Sequence, residues 1–124
     1  MDFAGDVYGV MLNYAVDGDT PGAVEYRKAM EKYNPKADII NANTFWGYGF
    51  AKVVVEGLKR AEAANDLTRE GMIKALETFR GFETGVFGAI TYTSSYHGAP
   101  DSCLIVKRQG MTWVPVSDEW VKAK

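Results

Sequence analysis

The residues able to do chemistry are few. His97 is the only histidine in 124 residues. It lies in Thr93-Ser-Ser-Tyr-His-Gly-Ala-Pro-Asp101. Ser94 or Ser95 with His97 and Asp101 could form a nucleophile, base and orienting acid, the set a hydrolase needs. All of them sit in one turn-rich loop, however, without the Gly-x-Ser-x-Gly elbow that presents such a serine. The plainer reading is a β-connection in which His97 hydrogen-bonds the backbone. Cys103 is the sole cysteine, inside an apolar run, and reads as an inert buried thiol. One His and one Cys are too few soft ligands for zinc. Asp17, Asp19 and Glu25 are acidic neighbours, but their spacing does not match a calcium loop. Gly47-Tyr-Gly49 lacks the third glycine of a dinucleotide fingerprint, and no Gly-Lys-Ser/Thr follows. No metal or cofactor is expected. What remains is the ring cluster Phe45, Trp46 and Tyr48 beside Asn43. These rings read either as core or as the wall of a pocket for a small, partly apolar ligand.

The elements that would place these residues follow from periodicity. Phe50, Val53, Val54, Gly57, Leu58 and Ala61 share one face of a helix entered by Asn43-Thr-Phe-Trp46, with Glu56 four residues ahead of Arg60. Upstream, Val7–Val16 is an almost continuous apolar run, read as a strand buried on both faces, the kind found in parallel sheets. Asp17-Gly-Asp19 ends it, and Thr20-Pro21 opens a helix as cap and first residue. That helix turns Ala23, Tyr26, Met30 and Tyr33 to one side and stops at Asn34-Pro35. Lys36–Asn43 is expected to be extended. After the long helix, Thr68 caps a third one, with Leu67 stapled on Met72 and Met72, Ile73, Leu76 and Phe79 as its stripe. Gly81 is its expected left-handed terminator. Val86–Thr93, Cys103–Lys107 and Met111–Val116 then read as strands, with a tight turn at Gln109-Gly110 and an edge position marked by Pro115. No internal repeat or low-complexity segment is evident.

Composition narrows the function classes. The net charge is −2, from 14 basic and 16 acidic residues, which leaves no footprint for nucleic acid or an anionic membrane. No run approaches the roughly 20 apolar residues of a membrane span. Met1–Asp6 lacks the basic and apolar parts of a leader peptide, so either the protein is cytosolic or its native N-terminus precedes Met1. A lone cysteine does not identify a compartment. The length suits one modest core, yet the first strand has too few parallel partners within it, which points to part of a larger α/β protein.

The order of motifs is similar to that of a known family. It comprises the strand, the Thr20-Pro21 helix ending in Tyr33-Asn-Pro35, and the segment from Asn43 to Gly47-Tyr48 and Ala51. Then come Glu56-Gly-Leu-Lys-Arg-Ala61, Asp66-Leu-Thr-Arg-Glu-Gly-Met-Ile-Lys-Ala-Leu76, Phe82-Glu-Thr-Gly-Val-Phe-Gly-Ala-Ile-Thr-Tyr92 and Gly110-Met-Thr-Trp-Val-Pro-Val-Ser117. From about Val7 to Ser117 the chain resembles the C-terminal third of periplasmic solute-binding proteins of the branched-chain amino acid type, which serve ABC importers. The resemblance implies an α/β chain forming part of a bilobed type I fold: strand, helix, long amphipathic helix, helix, then a three-strand antiparallel meander. Residues 1–124 would be a C-terminal piece of the ligand-binding domain, incomplete as a lobe. It also implies no catalytic residues, a small amino acid-like, carboxylate or amide solute bound between lobes, and a membrane permease as partner. The full protein would be periplasmic, or extracellular and lipid-anchored. By position it makes Asn43, Phe45, Trp46 and Tyr48 the ligand-side residues. Two other functions compete: a ligand-sensing receptor or regulator of the same fold, and a small hydrolase using the Ser94–Asp101 loop. With neighbouring strands and helices missing, exposed apolar surface would favour self-association or domain swapping.

Overall fold

A computed structural model describes residues 5–122. The start of the Met1–Asp6 stretch read for a leader, and the last two residues, lie outside them. The elements in chain order are β1 (Tyr8–Met11), α1 (Pro21–Tyr33), α2 (Ala42–Ala63), α3 (Arg69–Leu76), β2 (Ser102–Gln109), β3 (Thr112–Pro115) and β4 (Val121–Lys122). They form two bodies. The strands make an antiparallel sheet and the helices a separate layered group, and no helix approaches a strand closely. The connections are the segment after β1 and the long run from α3 to β2.

The sheet is built on β2. It pairs antiparallel with β1, from Tyr8 opposite Lys107 to Met11 opposite Leu104. It pairs with β3 across the turn at Gly110, whose φ of 62° suits glycine. β4 joins its first two residues. The expectation of a long, doubly buried parallel strand at Val7–Val16 is therefore corrected. Only four residues are strand, the pairing is antiparallel, and Val10 is 65% exposed. The run is apolar because it serves two bodies in turn: Tyr8–Met11 joins the sheet, and Tyr14 and Val16 pack with the helical core. Val86–Thr93 is not a strand either. It is an irregular segment with isolated bridges from Ile90 to Phe82 and from Thr93 to Tyr96, and its side chains Val86, Phe87 and Ile90 fill the helical core. Burial, not pairing, explains its hydrophobicity.

α1 opens at Thr20-Pro21 as expected, although the Thr20 side chain makes no capping bond. Ala23 and Tyr26 are buried, while Tyr33 projects into solvent past the edge of the core. α2 begins earlier than expected. Asn41 accepts from the Asn43 and Thr44 amides at 2.9 and 3.2 Å, so Asn43–Trp46 form the first turns of the helix. Lys36–Ile40 is a series of turns and bends rather than an extended segment. The buried stripe of α2 is Phe45, Gly49, Val53, Gly57 and Ala61, strictly four apart. Phe50, Val54 and Leu58, expected on the core side, are exposed. The glycines decide this: a bare Gly49 admits Val86 and Phe87, and a bare Gly57 admits Met72 and Leu76 of α3. Thr68 caps α3 through the Gly71 amide at 3.1 Å. Leu67 is 67% exposed and so does not act as a staple, Ile73 is exposed, and the buried positions of α3 are Gly71 and Ala75. The helix ends at Leu76 with Glu77 still right-handed, and Gly81, at φ 66°, turns the chain only later.

Candidate functional site

The first turns of α2 carry all four residues singled out in the sequence, and helical geometry sorts them. Asn43 and Trp46 are three apart and share a face. Asn43 is exposed, and its carboxamide has no hydrogen-bond partner among the described residues. Trp46 is half-buried. Its Nε1–H donates to Asn13 Oδ1 at 2.7 Å, and its ring meets Phe87 and Phe50 at centroid distances of 5.5 and 5.8 Å. Phe45 points the other way. It is 0% exposed and stacks against Tyr26 at 5.0 Å, inside the core.

Tyr48 belongs to a different group, between α1 and α2. Its ring meets the Tyr26 edge at 5.6 Å. Lys52 Nζ lies 5.7 Å from the Tyr48 ring centroid and 2.8 Å from Glu25 Oε2. Burial pushes the Tyr48 hydroxyl up to about 12, with the hydrogen bond to Glu25 and that carboxylate's charge adding to it. Glu25 is held below the usual carboxylate range, first by Lys52 and then by Tyr48. This is a partly exposed, charge-balanced seam. The structure thus brings Asn43 and Trp46 together and places Phe45 and Tyr48 elsewhere.

The hydrolase constellation is not assembled. His97 Nε2 lies 2.9 Å from Glu77 Oε1, and its ring meets Tyr92 edge-on at 6.3 Å. The Ser95 hydroxyl is taken up by Thr93 Oγ1 at 3.3 Å within its own turn. The hollow beside His97, about 260 Å³, is lined by Ile73, Leu76 and Tyr92, with no nucleophile. Cys103 is half-buried within β2. Among the described residues no three His, Cys, Asp or Glu side chains group as metal ligands. At the Asp17–Asp19 turn the carbonyls of Val16 and Gly18 accept from Arg27. Gly47 and Gly49 lie within α2 and form no phosphate loop. Among the described residues no helix is long and apolar enough to cross a membrane.

Two residues at the site escaped the sequence reading. Asn13 is 7% exposed and holds the Trp46 indole. Trp120 donates from Nε1 to the Tyr14 hydroxyl at 3.0 Å. The signal for Asn13 was available: it is the one polar side chain within an apolar run, and a buried polar group is the informative exception. Nothing local marks Trp120, whose partner is 106 residues away.

The model of a family described as periplasmic binding protein matches residues 2–110. No curated protein matches the chain. Two solved structures are similar. One is a branched chain amino acid ABC transporter from Thermus thermophilus with bound valine, at 26% identity and a TM-score of 0.77 over 94% of this chain and 33% of that one. The other is a fatty acid ABC transporter substrate-binding protein from Thermomonospora curvata, at 26% identity and a TM-score of 0.70 over 94% of this chain and 30% of that one. The chain therefore spans about a third of the length of the structures it matches, and its helices and antiparallel sheet are part of a type I periplasmic-binding fold. On a match that covers most of its length, the chain belongs to the periplasmic binding protein family.

Proposed function

We propose that this chain forms part of the solute-binding component of an ABC importer and supplies one wall of a solute site between two lobes. The observation that carries the reading is the pairing of Asn43 and Trp46. An exposed, unpartnered carboxamide stands one helical turn from an indole that is already oriented by its own hydrogen bond. Tyr48 and Phe45 support this wall from behind, Tyr48 through the Glu25–Lys52 seam and Phe45 through the core. The division into a helical body and a sheet, joined by two connections, supports a hinge between them.

The solute we infer is a small carboxylate or amide with an apolar portion. The carboxamide can donate to or accept from its polar end, and the ring face favours the rest. Valine and fatty acids, named for the two similar structures, share that chemistry. The protein would bind and release its solute without converting it, work outside the cytoplasmic membrane and hand the solute to a permease. A chain of these 124 residues alone would in addition self-associate, because Val10, Val116 and Val121 leave apolar sheet surface uncovered.

The test is thermal shift and calorimetric titration of the protein that carries both lobes, with L-valine, L-leucine, isobutyramide and octanoate. A solute bound only by the folded state at 100 times its Kd stabilises by about 2.7 kcal/mol. A rise in melting temperature with one of these solutes, lost in Asn43→Ala and Trp46→Ala, is the expected result. No rise with any solute, or a rise that both variants retain, overturns the reading.

A further inference from the structure

The segment leaving β1 is gripped at consecutive residues by both bodies. Asn13 is buried and uses both ends of its side chain: Nδ2 donates to the Tyr14 carbonyl at 2.7 Å, and Oδ1 accepts from Trp46 of α2 at 2.7 Å. Those two bonds fix which way the carboxamide points, since a reversed amide would set donor against donor. The next residue binds in two further directions. The Tyr14 amide donates to the Val86 carbonyl at 2.9 Å, beside Phe87, on which Trp46 packs. The Tyr14 ring takes Trp120 edge-on at 5.1 Å, and its hydroxyl accepts from the Trp120 indole. Trp120 directly precedes β4, which is paired to β2. A continuous path of contacts therefore runs from the exposed face of α2, through Trp46, Asn13 and Tyr14, to the sheet.

We propose that Asn13 is a positioning residue, which sets the Trp46 indole and ties its placement to the joint between the helical body and the sheet. The proposal rests on the reading of Asn43 and Trp46 as the solute wall. A solute that moves the indole would shift Asn13, and with it the Tyr14 carbonyl and the Trp120 contact. Conversely, a change of angle at the joint would re-aim the indole. Asn13 touches no solute in this scheme and acts only through Trp46. Its neighbours account for its burial: an isosteric leucine would fill the same space but leave the half-buried Trp46 N–H without a partner.

The experiment is made first without solute, on the 124-residue chain labelled with nitrogen-15. Asn13→Ala is expected to shift the Trp46 indole N–H resonance and speed its solvent exchange about fivefold, with the Trp113 indole unchanged. Residual dipolar couplings should report a changed orientation of β2 relative to α2. Trp46→Phe, which removes the donor while keeping an aromatic ring, should change that orientation in the same sense, and the double variant should add nothing further. Asn13→Asp keeps an acceptor for the indole but sets a carboxylate oxygen against the Tyr14 carbonyl, so it should keep the indole N–H protected while losing the tie to Tyr14. Ile90→Val controls for lost stability, because it thins the same core while making no hydrogen bond to Asn13, Tyr14 or Trp46. Unchanged indole exchange in Asn13→Ala, additive effects in the double variant, or the same changes in Ile90→Val would overturn the positioning role whether or not a solute binds. L-valine titration of the protein that carries both lobes is the separate arm. Loss of its binding in Asn43→Ala alongside an altered affinity in Asn13→Ala supports the coupling. Binding that neither variant affects overturns the solute wall itself, and with it Asn13's place in the site.

Discussion

Gly22 and Gly85 set how tightly α1 can approach the segment that carries Val86 and Phe87, and Gly22→Ala tests that closeness. A Cβ on Gly22 would lie 2.0 Å from the Gly85 oxygen and 2.4 Å from its carbonyl carbon. Ordinary contact begins near 3.4 Å, so the backbones must part by about 1.4 Å. Neither side can yield readily. Gly85 sits at φ 75°, and the next residue, Val86, is fully buried and hydrogen-bonded to Tyr14. Overpacking a well-filled site costs about 1–3 kcal/mol, and a collision with backbone belongs at the upper end. Gly57→Ala is the matched control. Its Cβ would meet Met72 Cε at 2.6 Å and Leu76 Cδ2 at 2.9 Å, both ends of flexible side chains. Replacing a mid-helix glycine by alanine also recovers about 1 kcal/mol of helix propensity. We expect Gly22→Ala to lose about 3 kcal/mol and Gly57→Ala to stay within about 1 kcal/mol of the parent. Urea unfolding followed by circular dichroism measures both. Equal stability of the two variants would refute the argument that backbone apposition, rather than side-chain filling, sets this contact.

Three further outcomes follow from the same geometry. Phe45→Ala should cost about 3–5 kcal/mol, whereas Asn43→Ala should leave stability within about 0.5 kcal/mol; comparable losses in denaturant melts would mean that the first turn of α2 is not sorted into core and open faces. Tyr48 keeps its proton in the folded chain up to about 12, against 10.0 for an unperturbed tyrosine. A folded value raised in this way contributes stability that is complete below pH 10 and lost as pH rises toward about 12. Melting temperature followed across that window should fall less steeply in Tyr48→Phe, with part of the slope remaining because burial also raises Tyr26 and Tyr92. Light scattering of the 124-residue chain should detect association that Val10→Lys reduces; a monomer that melts cooperatively would contradict the view that the sheet face needs a cover.

Much of this fold was legible because helices announce themselves locally. Thr20-Pro21, Thr68 and the helical spacing of Phe50, Val53, Val54, Gly57, Leu58 and Ala61 act within a few residues of themselves, and they located all three helices. The hairpin at Gly110 was equally local, since one residue at positive φ was enough to specify it. The two failed strands share a different cause. Val7–Val16 and Val86–Thr93 are apolar because of what packs on them, and an apolar run does not say whether its cover is a sheet, a helix or a loop. The stripe of α2 was misplaced for a related reason. Hydrophobicity favoured Phe50, Val54 and Leu58, whereas shape favoured the bare glycines, and close packing was decided by shape.

The sequence alone determined the order of the three helices, the Thr68 cap and the family resemblance that the match over residues 2–110 bears out. It also placed Asn43 and Trp46 at the mouth of the long helix. Only the tertiary structure separated Phe45 from them, because one helical turn points its side chains in several directions and neighbours decide which are buried. Tertiary structure alone also brought Asn13 to Trp46 across 33 residues and Trp120 to Tyr14 across 106. Contacts of that range leave no periodic trace in a chain. They exist because two bodies close on one connecting segment, and that closure is a property of the assembled fold.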